Sequence, residues 1–358
     1  MRKEQLINDN WLFRYHDGTE TAVNIPHTWN ALDGQDGGND YWRGTCVYEK
    51  DFPMPQIQGD EQVYLQFDGV NASAKVILNG ETVAIHDGGY STFRCNITSH
   101  LKAENHLVVE VDNSVNDRVY PQKADFTFYG GIYRNVKLIT VNKHHFDLDY
   151  FGGIGLAVHA NVVGKDASVW IRSWHTAEEG AVSIVLKDAG GNVVASGEGT
   201  DTEIRIPNVH LWDGLDDPYL YTCEATLTVD GVAADKVSTR FGARTFHVDP
   251  QKGFFLNGRN YPLRGVCRHQ DWKGIGNALY KEHHDADMAI IREVGANTIR
   301  LAHYQHDQYF YDLCDQYGMI VWAEIPYISE HMPNGRENTI TQMRELIVQN
   351  YNHPSICF

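Results

Sequence analysis

Residues 296–304 read Ala-Asn-Thr-Ile-Arg-Leu-Ala-His-Tyr, and residues 318–326 read Gly-Met-Ile-Val-Trp-Ala-Glu-Ile-Pro. Each contains a short, nearly continuous apolar run of the kind that forms a buried strand. Between them, apolar residues recur at i, i+3, i+4 and i+7 from Phe310, which predicts a helix from Asp307 to a stop at Gly318. A strand, a helix and a strand with short connections predict a βα unit of a parallel sheet covered on both faces.

The same pattern extends over residues 249–358. A hairpin is predicted around Asn257-Gly258, because Asn-Gly between apolar runs favours a tight turn. The alternation then continues with strands at 261–267, 296–302, 319–325 and 355–358, and helices at 283–294, 307–317 and about 338–351. A closed (β/α)₈ barrel needs eight such repeats and about 250 residues. We therefore predict the first half of a TIM barrel, with the chain ending within the fourth barrel strand.

Residues 1–141 are predicted to form a jelly-roll β-sandwich that binds sugar. Short alternating segments and the Asn79-Gly80 turn indicate antiparallel strands without helices. Two loops, 31–43 and 125–134, combine aromatic residues, carboxylates and glycines. Aromatic faces beside carboxylates suit a sugar, whose C–H face packs on rings while its hydroxyls form hydrogen bonds. The alternative is a surface loop whose aromatic residues fill the edge of the sandwich.

Residues 142–248 again show short strands separated by turn signals, among them Gly190-Gly191-Asn192 and Asp230-Gly231. About seven strands in a segment of this length predict an immunoglobulin-like β-sandwich. We find no residues with catalytic or ligand-binding character in this part, and we interpret it as a spacer.

Composition narrows the functional classes. The formal net charge is −17, which disfavours nucleic acid and anionic membranes as partners because their phosphates would be repelled. No apolar run approaches the roughly 20 residues of a membrane span, and the N-terminus lacks the apolar core of a signal peptide. These features leave the compartment open between a cytoplasmic location and a periplasmic one from which a signal peptide has been removed. The six cysteines contain no Cys-x-x-Cys pair, which argues against zinc or a disulfide framework.

Three segments carry a family resemblance. Residues 297–304, with Asp315 and Gly318-Met-Ile-Val-Trp, resemble the first signature of glycoside hydrolase family 2, and residues 352–358 resemble the opening half of its second signature. The order of jelly roll, immunoglobulin-like sandwich and barrel also matches that family. Residues 265–272, Gly-Val-Cys-Arg-His-Gln-Asp-Trp, resemble its β-galactosidases more than its β-glucuronidases. The resemblance implies a retaining hydrolase of terminal non-reducing β-D-galactosides, with β-galactoside glycans as substrates.

The resemblance also assigns roles to four residues. His269 and His303 match the two histidines that hydrogen-bond the sugar, and Asp125 matches the acid that the first domain inserts into the site. Arg300 matches the arginine that supports the nucleophile. Glu324 has no role in the matched signature, and its place at a strand end makes it a candidate polar wall of the site. A histidine at a strand end can instead cap a helix or bond a carbonyl. A buried Arg300 could be a structural ion pair, and its expected partner is the nucleophile.

In the family, the acid/base glutamate lies just past Phe358 and the nucleophile lies on the seventh strand. We therefore assign no catalytic carboxylate within this chain and expect the 358 residues alone to hydrolyse no glycoside. We also expect the third domain, by itself, to fold poorly. Two alternatives stay open. One is a β-glucuronidase or another family 2 exo-β-glycosidase, and the other is a non-catalytic carbohydrate-binding fragment.

No metal ligand is assigned. Large bacterial β-galactosidases of the family bind magnesium through a Glu-x-His pair after the third strand, whereas residues 323–331 have a different spacing here. The resemblance still allows Mg²⁺ or Na⁺, and it allows a homo-oligomer.

Overall fold

The computed structural model describes residues 2–34 and 41–358. The part of the predicted aromatic and acidic loop from residue 35 to 40 lies outside the described residues. The described chain forms two β-sandwiches followed by a parallel βα segment. This arrangement confirms the predicted fold class.

The first sandwich has a four-stranded sheet in the order β1-β12-β5-β9 and a six-stranded sheet in the order β3-β2-β4-β10-β7-β8, with β11 and β6 paired beside them. Asn79 and Gly80 have positive φ and join β7 to β8, as the sequence predicts. The two sheets enclose one apolar core that includes Trp11, Tyr48 and Phe67. The strands are β1 (Lys3–Leu6), β2 (Trp11–Arg14), β3 (Glu20–Val23), β4 (Thr45–Pro53), β5 (Gln62–Phe67), β6 (Val70–Asn71), β7 (Ser73–Leu78), β8 (Glu81–Asp87), β9 (Phe93–Asn96), β10 (Glu104–Asp112), β11 (Gly131–Ile132) and β12 (Val136–Val141), with a 3₁₀ turn at Thr98–His100.

The second sandwich contains the seven strands that the sequence predicts. A three-stranded sheet in the order β13-β14-β17 faces a four-stranded sheet in the order β16-β15-β18-β19, around a second apolar core. Asp230 and Gly231, both at positive φ, connect β18 to β19. The strands are β13 (Leu156–Val163), β14 (Asp166–Ser173), β15 (Ala181–Lys187), β16 (Val193–Glu198), β17 (Asp201–Ile206), β18 (Tyr221–Val229) and β19 (Val232–Phe241).

The third part opens with a small antiparallel sheet whose hairpin turns at Asn257 and Gly258, both at positive φ. A parallel sheet in the order β23-β24-β25 follows, with helices between its strands. The elements are β20 (Phe246–Asp249), β21 (Gly253–Leu256), β22 (Arg259–Asn260), β23 (Gly265–Arg268), α1 (Lys281–Glu293), β24 (Thr298–Leu301), α2 (Gln308–Tyr317), β25 (Ile320–Ala323), a 3₁₀ turn at Pro333–Gly335 and α3 (Arg336–Asn350).

Helix α2 shows why the structure of residues 296–326 could be predicted from the sequence. Asp307 caps its N-terminus by accepting a hydrogen bond from the Tyr309 amide at 2.9 Å, and Gly318 ends it in the left-handed conformation at φ 73°. Buried Phe310, Leu313 and Cys314 form its inner face against the sheet. Such caps and a single apolar face are local signals that need no tertiary information.

The predicted fourth barrel strand is shorter in the structure than in the sequence analysis. Residues 355–358 run beside β25 and form a single parallel bridge between Val321 and Ile356. The Val321 amide donates to the Ser355 carbonyl at 2.8 Å, and the Cys357 amide donates to the Val321 carbonyl at 3.1 Å. The Ala323 amide also donates to the Phe358 carbonyl at 3.0 Å, so the segment lies where a fourth strand belongs, although it forms only one bridge.

Side chains of the first sandwich hold helix α3 in place. Glu345 accepts hydrogen bonds from His86 at 2.7 Å and from the Ser91 hydroxyl at 2.5 Å. Gln349 bonds both the amide and the carbonyl of Thr92. These contacts fix the barrel part against the first domain. In the described part of the chain, none of the helices has the length and apolar character needed to cross a membrane.

Candidate active site

The candidate site begins on the inner face of the parallel sheet. Register pairs Arg300 of β24 with Trp322 of β25, so Glu324 lies two residues further on the same face. The Arg300 guanidinium donates to both Glu324 oxygens, through Nε at 2.5 Å and Nη2 at 3.1 Å. This two-pronged contact fixes the planes of both groups.

His303, just beyond β24, joins the same pair. Its Nδ1 lies 3.0 Å from Glu324 Oε2 and 2.9 Å from Arg300 Nη2. The Glu324 carboxylate therefore orients the imidazole through Nδ1. This leaves Nε2 as the atom that can hydrogen-bond a ligand, as in other carboxylate-oriented histidines.

His269, just beyond β23, lies beside His303, with ring centroids 5.3 Å apart. Burial lowers the pKa of the His269 imidazole, and the neighbouring His303 and Arg300 lower it further. The carboxylates of Asp271 and Asp125 act in the opposite direction on that pKa. His269 is therefore held mainly neutral at pH 7 and can both donate and accept a hydrogen bond.

A loop from the first domain completes the cluster. Phe126 lies 4.9 Å from the His269 ring and 6.0 Å from the His303 ring, measured between centroids, and is nearly parallel to His303. Asp125, the preceding residue, is exposed and close enough to influence the pKa of His269. The structure thus brings the predicted loop into the mouth of the barrel part.

Glycine is required where this loop turns back. A Cβ on Gly130 would lie 2.0 Å from the Trp29 ring, and one on Gly131 would lie 2.3 Å from the His27 carbonyl. Asn30 fixes the turn by bonding the Phe128 carbonyl at 3.1 Å and the Gly130 amide at 2.9 Å. The loop is therefore built to present its aromatic and acidic residues in one position.

The sequence analysis missed two residues of the cluster. The Tyr304 hydroxyl lies 3.5 Å from His269 Nδ1, and its ring stacks on Tyr90 of the first domain with centroids 4.2 Å apart. Tyr129 donates to Asp271 at 3.4 Å. Tyr304 follows His303 directly in the signature stretch, so its position was a usable signal. Its partner Tyr90 lies in a different domain, and nothing local pairs them.

One structural expectation needs correction. The sequence analysis treated Arg300 as a buried cation waiting for the nucleophile, with Glu324 as a separate wall. In the structure Glu324 is the partner of Arg300, and the Arg300 side chain is 36% exposed. The physical reason is the period of two along a strand, which places residues 322 and 324 on one face beside Arg300. The ligand-binding roles of Asp125, His269, His303 and Glu324 and the nucleophile-supporting role of Arg300 stay predictions.

Away from this mouth, Asp312, Asp315 and His353 are the one group in the described part of the chain whose atoms are close enough for a metal. These atoms already have partners. His353 Nδ1 contacts Asp315 Oδ2 at 2.6 Å, the Ser355 amide donates to Asp315 Oδ1 at 3.1 Å, and Arg240 pairs with Asp312 at 2.6 Å. We interpret the group as a structural ion-pair network.

Comparison with protein families gives three matches in chain order. The sugar binding domain of glycosyl hydrolases family 2 matches residues 5–142, a second model of that family matches 156–244, and its TIM barrel domain matches 247–358. The chain belongs to glycosyl hydrolase family 2. The predicted resemblance is thereby confirmed, while the domain bounds of 1–141, 142–248 and 249–358 stay a prediction.

Individual relatives are similar over the whole chain. A β-glucuronidase from Bacteroides fragilis is 38% identical, covering 100% of this chain and 56% of the relative. A β-galactosidase from Thermoanaerobacter pseudethanolicus is 29% identical, covering 98% and 49%. The crystal structure of an FMN-binding β-glucuronidase from Facaelibacterium prausnitzii L2-6 is 43% identical and superposes with a TM-score of 0.97, covering 100% and 57%.

The chain spans about half the length of these relatives. The similarity ranks the β-glucuronidases above the β-galactosidase, so the predicted preference for galactosides is not confirmed. The alternative, a β-glucuronidase, agrees better with these comparisons.

Proposed function

We propose that the protein is a retaining exo-β-glycosidase and that this chain forms one wall of its sugar-binding subsite. The observation that carries the proposal is the convergence of His269, His303 and Phe126, which come from two strand ends and a loop of another domain. Two imidazoles offer hydrogen bonds to hydroxyl groups, and the ring of Phe126 offers an apolar face. This combination suits a pyranose better than it suits a purely apolar or a highly charged ligand.

In this proposal the residues of the chain bind and orient rather than react. Retaining glycosidases use two carboxyl groups about 5–5.5 Å apart, one as nucleophile and one as acid and then base. Glu324 does not fit either role, because Arg300 and His303 occupy both of its oxygens. Its task is to hold His303 so that the imidazole bonds strengthen as the sugar approaches its transition state.

We further propose that the sugar is a terminal β-D-glucuronide, with a β-D-galactoside as the runner-up. The similarity to β-glucuronidases supports this choice. A uronate carries a carboxylate, which needs a cation. Among the described residues at the mouth of the barrel part, Arg300 is a cation, but Glu324 already neutralises the positive charge of its guanidinium. The carboxylate must therefore be recognised by a cationic group other than Arg300.

The test is a comparison of kcat/KM for nitrophenyl β-D-glucuronide and nitrophenyl β-D-galactoside with the full-length protein. A clear preference for the glucuronide supports the proposal, and a preference for the galactoside replaces it with the runner-up. Binding of either sugar without turnover would instead favour a non-catalytic carbohydrate-binding protein.

A second candidate function, suggested by the similarity to an FMN-binding β-glucuronidase, is the binding of FMN with its flavin ring against a separate aromatic cleft. The cleft, about 220 Å³, lies between the second sandwich and helix α3. Three of its aromatic side chains are unusually exposed, namely Tyr150 at 54%, Trp174 at 40% and Tyr351 at 45%. The rings of Tyr150 and Trp174 are inclined by 20°, with centroids 6.3 Å apart. Planar exposed rings suit a planar ligand.

Arg344 lies on α3, the helix that supplies Ile347 and Val348 to the cleft, and its guanidinium is 5.6 Å from the ring centroid of Phe151, the residue after Tyr150. It could pair with a phosphate, and the aromatic walls could hold the flavin ring. Glycoside hydrolysis transfers no electrons, so we propose binding alone. Titration of FMN fluorescence with the protein tests this candidate. Trp174→Ala should weaken binding, whereas Tyr317→Ala, an exposed aromatic on α2, should not. Equal affinity in both variants would contradict the cleft as the site.

A further inference from the structure

A buried arginine lies behind the two strand ends that carry the histidines of the candidate site. Arg268 is the last residue of β23 and is 5% exposed, and His269 follows it directly. Its guanidinium donates to Asp287 Oδ2 on helix α1, through Nε at 2.8 Å and Nη2 at 2.7 Å. The guanidinium carbon also lies 3.8 Å from the ring centroid of Phe310 on α2. Contacts from two helices therefore fix the plane of this guanidinium.

The same guanidinium faces two buried imidazoles. Its Nη1 lies 3.0 Å from His306 Nδ1, and its Nη2 lies 3.1 Å from His284 Nδ1. A guanidinium has donors and no acceptor, so each Nδ1 must present its lone pair, and the proton of each neutral ring must be on Nε2. His306 is fully buried, and desolvation together with Arg268 lowers the pKa of its imidazole well below the ordinary value. Arg268 thus selects one tautomer of a neutral His306.

His306 uses its Nε2 proton at the neighbouring strand end. Its Nε2 lies 3.1 Å from the carbonyl oxygen of Ala302, which accepts this proton in a hydrogen bond. Ala302 follows β24, and its own amide donates to the Arg268 carbonyl at 3.0 Å. The contacts form a closed ring that runs from the Arg268 side chain through His306 and Ala302 back to the Arg268 backbone. This ring joins the two backbones immediately before His269 and His303.

We propose that His306 is a positioning residue of the candidate site, which fixes the peptide unit between Ala302 and His303 and thereby the direction of the His303 ring. The inference rests on the proposed function, in which His303 bonds the sugar. A peptide unit is planar, so a bond to the Ala302 carbonyl also fixes the N–Cα bond of His303. Glu324 holds the same imidazole at Nδ1, 3.0 Å away. The ring of His303 is therefore constrained at its backbone and at its side chain.

The test compares His306→Gln with His306→Asn in the full-length protein. The glutamine amide reaches as far as Nε2 and can donate to the Ala302 carbonyl, whereas the asparagine amide reaches only as far as Nδ1 and can accept from Arg268. We expect His306→Asn to lower kcat and kcat/KM for the preferred nitrophenyl glycoside by about 10- to 100-fold with little change in KM, because a misplaced group costs transition-state stabilisation. His306→Gln should keep kcat close to that of the wild type. Wild-type kcat in a folded His306→Asn variant would overturn the proposal.

Nitrogen-15 NMR of the imidazoles gives a readout that does not depend on turnover. In the wild type, His306 should carry its proton on Nε2 and none on Nδ1. The ring resonances of His303 should shift in His306→Asn and stay near their wild-type positions in His306→Gln. A proton on His306 Nδ1 would overturn the proposal, because Arg268 could not then donate to that atom. Unmoved His303 resonances in His306→Asn would overturn it as well.

His145→Asn is the matched control for lost stability. His145 is also buried, and its Nδ1 bonds a backbone carbonyl, that of Asn142, at 2.8 Å outside the barrel part. This variant should lower Tm and leave kcat unchanged. An equal loss of kcat in both asparagine variants would show a general effect of destabilisation and overturn the proposal.

Two further outcomes are separated by the same measurements. If His306→Asn does not fold, the tautomer of the wild type and the folded His306→Gln variant decide, and displaced His303 resonances in that variant would overturn the proposal. If the wild type hydrolyses none of the nitrophenyl glycosides, the proposed function fails, and the NMR comparison still decides whether His306 positions His303.

Discussion

Replacing Glu324 by glutamine probes the network that orients His303. The glutamate accepts two bonds from Arg300 and contacts His303 at 3.0 Å. Glutamine keeps the shape but offers one oxygen, so its amide N–H group must face a guanidinium or imidazole donor. One charge-assisted hydrogen bond, about 1.5–3 kcal/mol, is then lost from the orientation of His303. We expect kcat/KM to fall by about 10- to 100-fold.

Stability should change far less than activity. The Arg300 side chain is 36% exposed, so solvent screens the ion pair and limits its contribution to about 1 kcal/mol or less. The assay is kcat/KM on the preferred nitrophenyl glycoside together with Tm. Glu330→Gln is the control, because Glu330 pairs with Lys123 at 2.8 Å outside the network. Wild-type kcat/KM in a folded Glu324→Gln variant would refute the positioning role.

Three further perturbations test separate parts of the account. His303→Ala should lower kcat/KM by about 10²–10⁴ through loss of transition-state hydrogen bonds, and unchanged kinetics in a folded variant would remove His303 from the site. Asp125→Asn should weaken substrate binding and further lower the pKa of His269, because a carboxylate that raises this pKa is removed. An unchanged His269 pKa, measured by NMR titration of the imidazole, would contradict the insertion of the loop into the site. Tm should fall as the pH drops from about 6.5 toward 4, because the pKa values of His27 and His284 are held at about 4 in the fold and only the unfolded chain takes up those protons. His353, whose pKa is raised, opposes this trend, and a flat Tm over that interval would contradict the assignment of neutral buried histidines.

Much of the architecture could be predicted because its signals are local. The tight turn at Asn257-Gly258 and the Asp307 and Gly318 ends of α2 are each encoded within a few residues. Strand alternation likewise predicted both sandwiches. The fourth strand was less predictable, since the pairing of residues 355–358 depends on neighbours and not on their own apolar run.

The candidate site was only partly predictable for a related reason. The family resemblance, together with their position at strand ends, suggested His269 and His303, and it suggested Asp125 within a loop already marked by its aromatic and acidic composition. The stacking of Tyr304 on Tyr90 joins two domains, and the pairing of Arg300 with Glu324 depends on strand register. A local sequence pattern predicts neither the register between two strands nor how one domain packs on another. The motif at residues 265–272 was not sufficient to distinguish a glucuronide from a galactoside as the substrate.

The most direct test of the central claim is NMR titration of the His269 and His303 ring resonances with D-glucuronate in the full-length protein. If these imidazoles line the sugar subsite, both sets of resonances should shift saturably with one dissociation constant, and Asp125→Asn should weaken that constant. Resonances that do not move while D-glucuronate binds saturably would show that the subsite lies elsewhere.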